Sequence, residues 1–142
     1  MSDESPILAM IETDHGKIPF TGHFDHNAVE IFSFEYCANF AKVLSKYTGF
    51  LPGYVPDGMG SVLHWFCYDP INHKFYDICG KFTYKTFTTH INQIFGLGTT
   101  DGNFCIGLGE EWDTTITDEV VSKDDYLAEA IIQEYASNFL SI

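Results

Sequence analysis

Arginine is absent from this chain. All seven basic residues are lysines, against twenty acidic residues, and the formal net charge is −13. Without guanidinium forks there is no bidentate clamp for phosphate or carboxylate. Without a basic face there is no electrostatic footprint for nucleic acid, so direct nucleic-acid binding is not expected. No run of about eighteen apolar residues occurs, which argues against a membrane span. The opening Met1-Ser2-Asp3-Glu4-Ser5-Pro6 lacks the basic start and apolar stretch of a secretory signal, so a cytoplasmic location is expected. The four cysteines, Cys37, Cys67, Cys79 and Cys105, form no CxxC pair and no cluster at zinc-finger spacing. In a reducing compartment they are expected to be free thiols. HExxH, GxGxxG and GK[ST] are missing as well. His23-Phe24-Asp25-His26, with nearby His15, offers metal ligands but matches neither HExxH nor a finger, and Glu110-Glu111-Trp112-Asp113 could hold a hard cation but reads first as a solvated acidic turn. Neither a metal nor an organic cofactor is expected.

What remains is a chain that can fold. At 142 residues, with 45% hydrophobic and 16% aromatic content, it can bury a core, and one domain over 1–142 is expected. Residues 7–11 and 18–20 can pair as a hairpin across the turn Asp14-His15-Gly16-Lys17. From Asn27 to Tyr47 there is no Gly or Pro, and Val29, Phe32, Tyr36, Phe40, Val43 and Tyr47 recur at helical spacing. One long helix fits. Two helices with a break near Ser33, and Ser33 as the N-cap of the second, also fit. Thr48-Gly49 ends the run, and the Pro/Gly-rich stretch 50–61 reads as a loop. Strands are expected at about 62–68 and 75–79, around a turn at Asp69-Pro70-Ile71-Asn72. Thr83 can cap a helix from Tyr84 to Phe95, Phe104–Leu108 reads as a buried strand, and Ser122-Lys123-Asp124-Asp125 opens a last helix to about Leu140. The expected class is α+β, with helices packed on a small, mainly antiparallel sheet.

Three residues carry chemistry. His64 lies on the first central strand and Asp77 on the second, thirteen positions on. If those strands pair, the carboxylate can fix the imidazole's tautomer and raise its basicity, as a general base needs. Cys37 alone among the cysteines lies near a candidate helix start, where unpaired N–H groups and the helix dipole favour thiolate. Cys67, Cys79 and Cys105 lie in or at the end of strand-like runs and read as core. An oxyanion donor could be the Cys37 N–H, with Asn27 or His26 as guesses for a helping side chain.

Phe34-Glu35-Tyr36-Cys37-Ala38-Asn39-Phe40-Ala41-Lys42-Val43-Leu44, followed by Tyr47-Thr48-Gly49-Phe50, His64-Trp65-Phe66 and Tyr76-Asp77-Ile78-Cys79-Gly80, resembles small bacterial and phage papain-like-fold proteins. The resemblance spans roughly residues 34–88. It implies a papain-like order of Cys helix, His strand and Asp strand, with Cys37 as nucleophile, His64 as base and Asp77 as orienter.

Charge is uneven. Residues 109–142 hold nine acids and one Lys, whereas 37–95 hold five Lys and three Asp. Two functions follow as expectations. One is a papain-like thiol hydrolase or acyl transferase acting on a peptide, isopeptide or amide bond, with a protein or peptide substrate. The other is a non-catalytic acidic inhibitor, of the phage anti-defence type, that blocks a basic site on a partner protein. A structural role leaves no residue-level signature.

Overall fold

The computed structural model describes residues 6–14, 16–56, 62–96, 105–106 and 124–140. Among these the protein is α+β, with four α-helices and two antiparallel sheets. Strands β1 (Ala9–Thr13) and β2 (Gly16–Phe20) form the expected hairpin, with Ile11 opposite Ile18. The five-stranded sheet contains β3 (Leu51–Pro56), β4 (Val62–Asp69), β5 (Lys74–Asp77), β6 (Gly80–Phe82) and β7 (Cys105–Ile106). Its order is β6-β5-β4-β3-β7.

The 27–47 stretch is broken rather than continuous. Helix α1 (His26–Glu30) runs into a π-helical turn over Ile31–Glu35, and α2 (Cys37–Thr48) starts afresh. Tyr36, not Ser33, is the N-cap residue of α2, and its φ of −125° and ψ of 29° end the preceding turn. Ser33 is buried inside the π turn, so its backbone was never free to cap. The wide turn inserts an extra residue, shown by the Tyr36 N–H donating to the carbonyl of Ile31. Gly49 closes α2 in the left-handed conformation with φ of 82°, which a glycine adopts without steric cost.

Residues 51–56 are a strand, which corrects the loop reading. Pro52 and Pro56 pair with β4, whereas β7 pairs only with Gly53 and Tyr54. Among the described residues neither proline is paired on the β7 side, and Pro56 marks a register shift. The second central strand is shorter than expected. It ends at Asp77 because the Asp77 Oδ1 accepts the Cys79 N–H at 2.8 Å, which folds Ile78 and Cys79 into a turn. Of the expected strand 104–108, only Cys105–Ile106 falls among the described residues. The Ser122-Lys123 half of the last helix's start lies outside them, and α4 spans Asp125–Phe139.

The sheet separates two apolar clusters. On one face, Phe40, Ala41 and Leu44 of α2 pack with Trp65, Cys67 and Tyr76 of the sheet and with Leu127, Ile131 and Tyr135 of α4. On the other, Phe87 and Ile91 of α3 (Tyr84–Phe95) pack with Val55, Phe66 and Phe75. Thr83 caps α3 through a reciprocal bond pair with Thr86. No helix among the described residues is long and apolar enough to cross a membrane.

Candidate functional site

His64 and Asp77 meet. The register pairs Cys67 with Tyr76, so one further step sets Asp77 opposite Phe66. His64 lies two residues before Phe66 on the same face, which makes it a diagonal neighbour of Asp77 within side-chain reach. The His64 Nε2–H donates to Asp77 Oδ2 at 2.9 Å, with His64 fully buried and Asp77 only 2% exposed. An ionised carboxylate accepts only, so the Nε2 atom carries a proton, and Nδ1 is the ring nitrogen at which a second proton is gained or lost. That Nδ1 is buried and has no hydrogen-bond partner among the described residues.

Cys37 is the first residue of α2 and is half-buried. Its thiol is close enough to help raise the His64 pKa. Because Asp77 occupies Nε2, Nδ1 is the ring nitrogen left to serve the thiol. Burial alone would depress His64, but the Asp77 hydrogen bond and the Cys37 contact outweigh it, and the pKa ends well above the usual imidazole value. Asp77 is likewise pushed up by burial, then pulled further down by His64 and His90, so it stays ionised.

His90 is the residue that the sequence reading missed. Its Nε2–H donates to the same Asp77 Oδ2 at 2.8 Å, so one carboxylate oxygen holds two imidazoles. His90 lies three positions after Phe87 and one before Ile91, both buried on α3. That spacing sets it on the sheet-facing stripe and was a usable signal. Burial lowers its pKa, but Asp77 and then Cys79 raise it to about 9. Phe82 stacks on the ring at 4.5 Å with planes 14° apart. Cys79, read as core, is half-buried in the turn, and its sulfur lies 3.7 Å from the Ser33 Oγ. Donor atoms of Asp77, Cys79 and His90 all lie within 4.8 Å of one another. Below the cluster, the buried Tyr135 hydroxyl donates to the Asp77 carbonyl at 2.7 Å and pins the turn from α4.

Other expected contributors are occupied elsewhere. Asn27 donates to the carbonyl of Pro19 at 3.1 Å, so it ties α1 to the hairpin and is not an oxyanion donor. His26 is exposed. Asp25 caps α1 by accepting the Ala28 N–H, and His23 pairs with Glu134. Cys67 donates to the carbonyl of Ala41, and burial pushes its thiol pKa up, as expected for core. His15, the acidic run 110–113 and the side chain of Cys105 lie outside the described residues. A cavity of about 660 Å³ lies away from the thiols, between Tyr47, Phe50, Asn72, Lys74 and Leu140. Its lining includes Asp69, Lys74 and Lys81 but no thiol or imidazole.

The chain matches no protein-family model, no curated protein and no solved structure in the comparisons made with them.

Proposed function

We propose that the protein is a thiol hydrolase or acyl transferase of papain-like order, acting on a peptide, isopeptide or amide bond of a protein or peptide substrate. One observation carries this reading: the His64–Asp77 bond of 2.9 Å directs the free ring nitrogen of His64 away from the carboxylate, while Cys37 opens α2 beside the imidazole. With the proton already resting on His64 Nδ1, the Cys37 sulfur attacks the acyl carbon as thiolate. The collapsing intermediate expels the amine, which takes that proton, and leaves a thioester on Cys37. Water or an acceptor amine then attacks the thioester, gives its proton to the neutral His64 and releases the Cys37 thiolate, which restores the starting pair. Asp77 holds the ring and offsets its charge in each half-reaction. The N–H groups at the start of α2 are the donors nearest the developing oxyanion.

The acidic-inhibitor reading has less support. In the described part of the acidic segment, Asp125 pairs with Lys42 at 2.9 Å and accepts from Asn39, and Glu134 pairs with His23. These acids serve internal contacts rather than a continuous docking face.

The test is cysteine alkylation against pH, followed by mass spectrometry, in the wild type and in His64→Ala. Cys37 is expected to react faster than the other cysteines well below pH 8, with His64→Ala slowing it by roughly tenfold or more. An inert Cys37, or one indifferent to His64, removes the enzyme reading.

A further inference from the structure

We propose that Asp77, Cys79 and His90 form a binding site for one divalent ion of the zinc class, with three protein donors and a fourth position left for water or another ligand. The site goes beyond the thiol-hydrolase reading and does not require Cys37. The three donor atoms come from the end of β5, the following turn and the buried stripe of α3, and all lie within 4.8 Å of one another. Tetrahedral bonds of about 2.0–2.3 Å place donors roughly 3.3–3.8 Å apart, so closure draws the widest pair in by at most about 1.5 Å and opens the 2.8 Å His90–Asp77 pair by roughly 0.5 Å. Thiolate, imidazole and carboxylate together select a borderline-soft ion. Calcium and magnesium prefer oxygen-only shells.

The supporting contacts are those of a built site. The Cys79 N–H holds Asp77 Oδ1 at 2.8 Å, Tyr135 holds the Asp77 carbonyl at 2.7 Å, and Phe82 fixes the His90 ring plane. Such outer contacts orient ligands and strengthen binding. The ion replaces the proton between His90 Nε2 and Asp77 Oδ2. The other lone pair of that oxygen stays with the His64 Nε2–H, so the His64 bond can persist. One divalent ion with a carboxylate, a thiolate and a neutral imidazole has no net charge, which suits an interior position. His90 is 12% exposed at its side chain and Cys79 is half-buried, which leaves an approach for the fourth ligand.

Cobalt(II) titration of chelator-stripped full-length protein tests the site, read by the thiolate-to-cobalt charge-transfer band and the visible d–d bands. One equivalent is expected to bind, more tightly at pH 8 than at pH 6 because protons compete for the ligands. Cys79→Ser and His90→Gln should each weaken binding by roughly 100-fold, whereas Cys37→Ala should leave the bands in place. No band in the wild type, or an unchanged band in Cys79→Ser, overturns the proposal. A readout that needs no variant is zinc protection: one equivalent should slow Cys79 alkylation by roughly tenfold. Equal Cys79 rates with and without zinc also overturn it. The two proposals fail separately. An inert Cys37 with a cobalt band removes only the hydrolase, and a reactive Cys37 without a band removes only the metal site.

Discussion

Two imidazoles share one carboxylate oxygen, and their surroundings differ. His64 stands on a strand, is fully buried, and keeps a buried ring nitrogen without a hydrogen-bond partner among the described residues. His90 stands on a helix at the rim, stacked on Phe82 and next to the turn that holds Cys79. A strand position makes His64 rigid and hidden, which suits the proposed role of a base beside Cys37. A helix position on the rim leaves His90 open to a ligand from solvent. The two proposals accordingly give the same Asp77 two roles, orienting a base on one side and holding an ion on the other.

Removing Asp77 breaks both sides at once. Asp77→Ala should cost about 3–5 kcal/mol in denaturant unfolding, because it leaves two buried imidazoles without their counter-charge. A loss under about 1 kcal/mol would mean that the three groups are not ionised together.

The pH dependence separates the sides. His64 and His90 both have pKa values raised above the unfolded value near 6.5, so their contribution is complete below that pH. It is lost as pH rises, for His90 through about 9 and for His64 through its own raised value. Asp77 is depressed, so its contribution holds above about 3.8 and is lost as pH falls below that. Stability should therefore peak between about pH 4 and 6.5 and decline by on the order of 2 kcal/mol toward pH 9. His90→Gln should flatten the decline that ends near pH 9, while His64→Gln leaves that part in place. Equal profiles for the two variants would erase the distinction between the sides.

The smallest effect belongs to the support beneath both. Tyr135→Phe removes a buried hydroxyl that donates to the Asp77 carbonyl at 2.7 Å and lies 3.3 Å from that of Gly80. It should cost about 1–2 kcal/mol without changing the ratio of Cys37 to Cys79 alkylation rates. A changed ratio would show that Tyr135 positions one side more than the other.

Much of the scaffold was legible in local pattern. The hairpin, the Thr83-capped helix and the turn at 69–72 follow from turn residues and periodicity, and each depends on neighbours in the chain. The pairing of His64 with Asp77 was legible too, because antiparallel strands joined by a short turn have few registers. The strand at 51–56 was not. Its prolines signal a loop, and a strand tolerates them where, among the described residues, they lack pairing on the β7 side. The start of α2 was left open by the sequence, since periodicity runs straight through a π turn that keeps the same buried face.

The sequence by itself determined the α+β class, the negative charge, and an imidazole and carboxylate held on one face of adjacent strands. These depend on periodicity and on contacts close along the chain. The tertiary structure decided that α3 lays His90 on Asp77 and that the turn after β5 brings Cys79 beside it. It also decided that α4 anchors both through Tyr135, 58 positions away. Those choices rest on which helix covers which face of the sheet. That is set by burying two separate apolar clusters at once, and no local pattern specifies it.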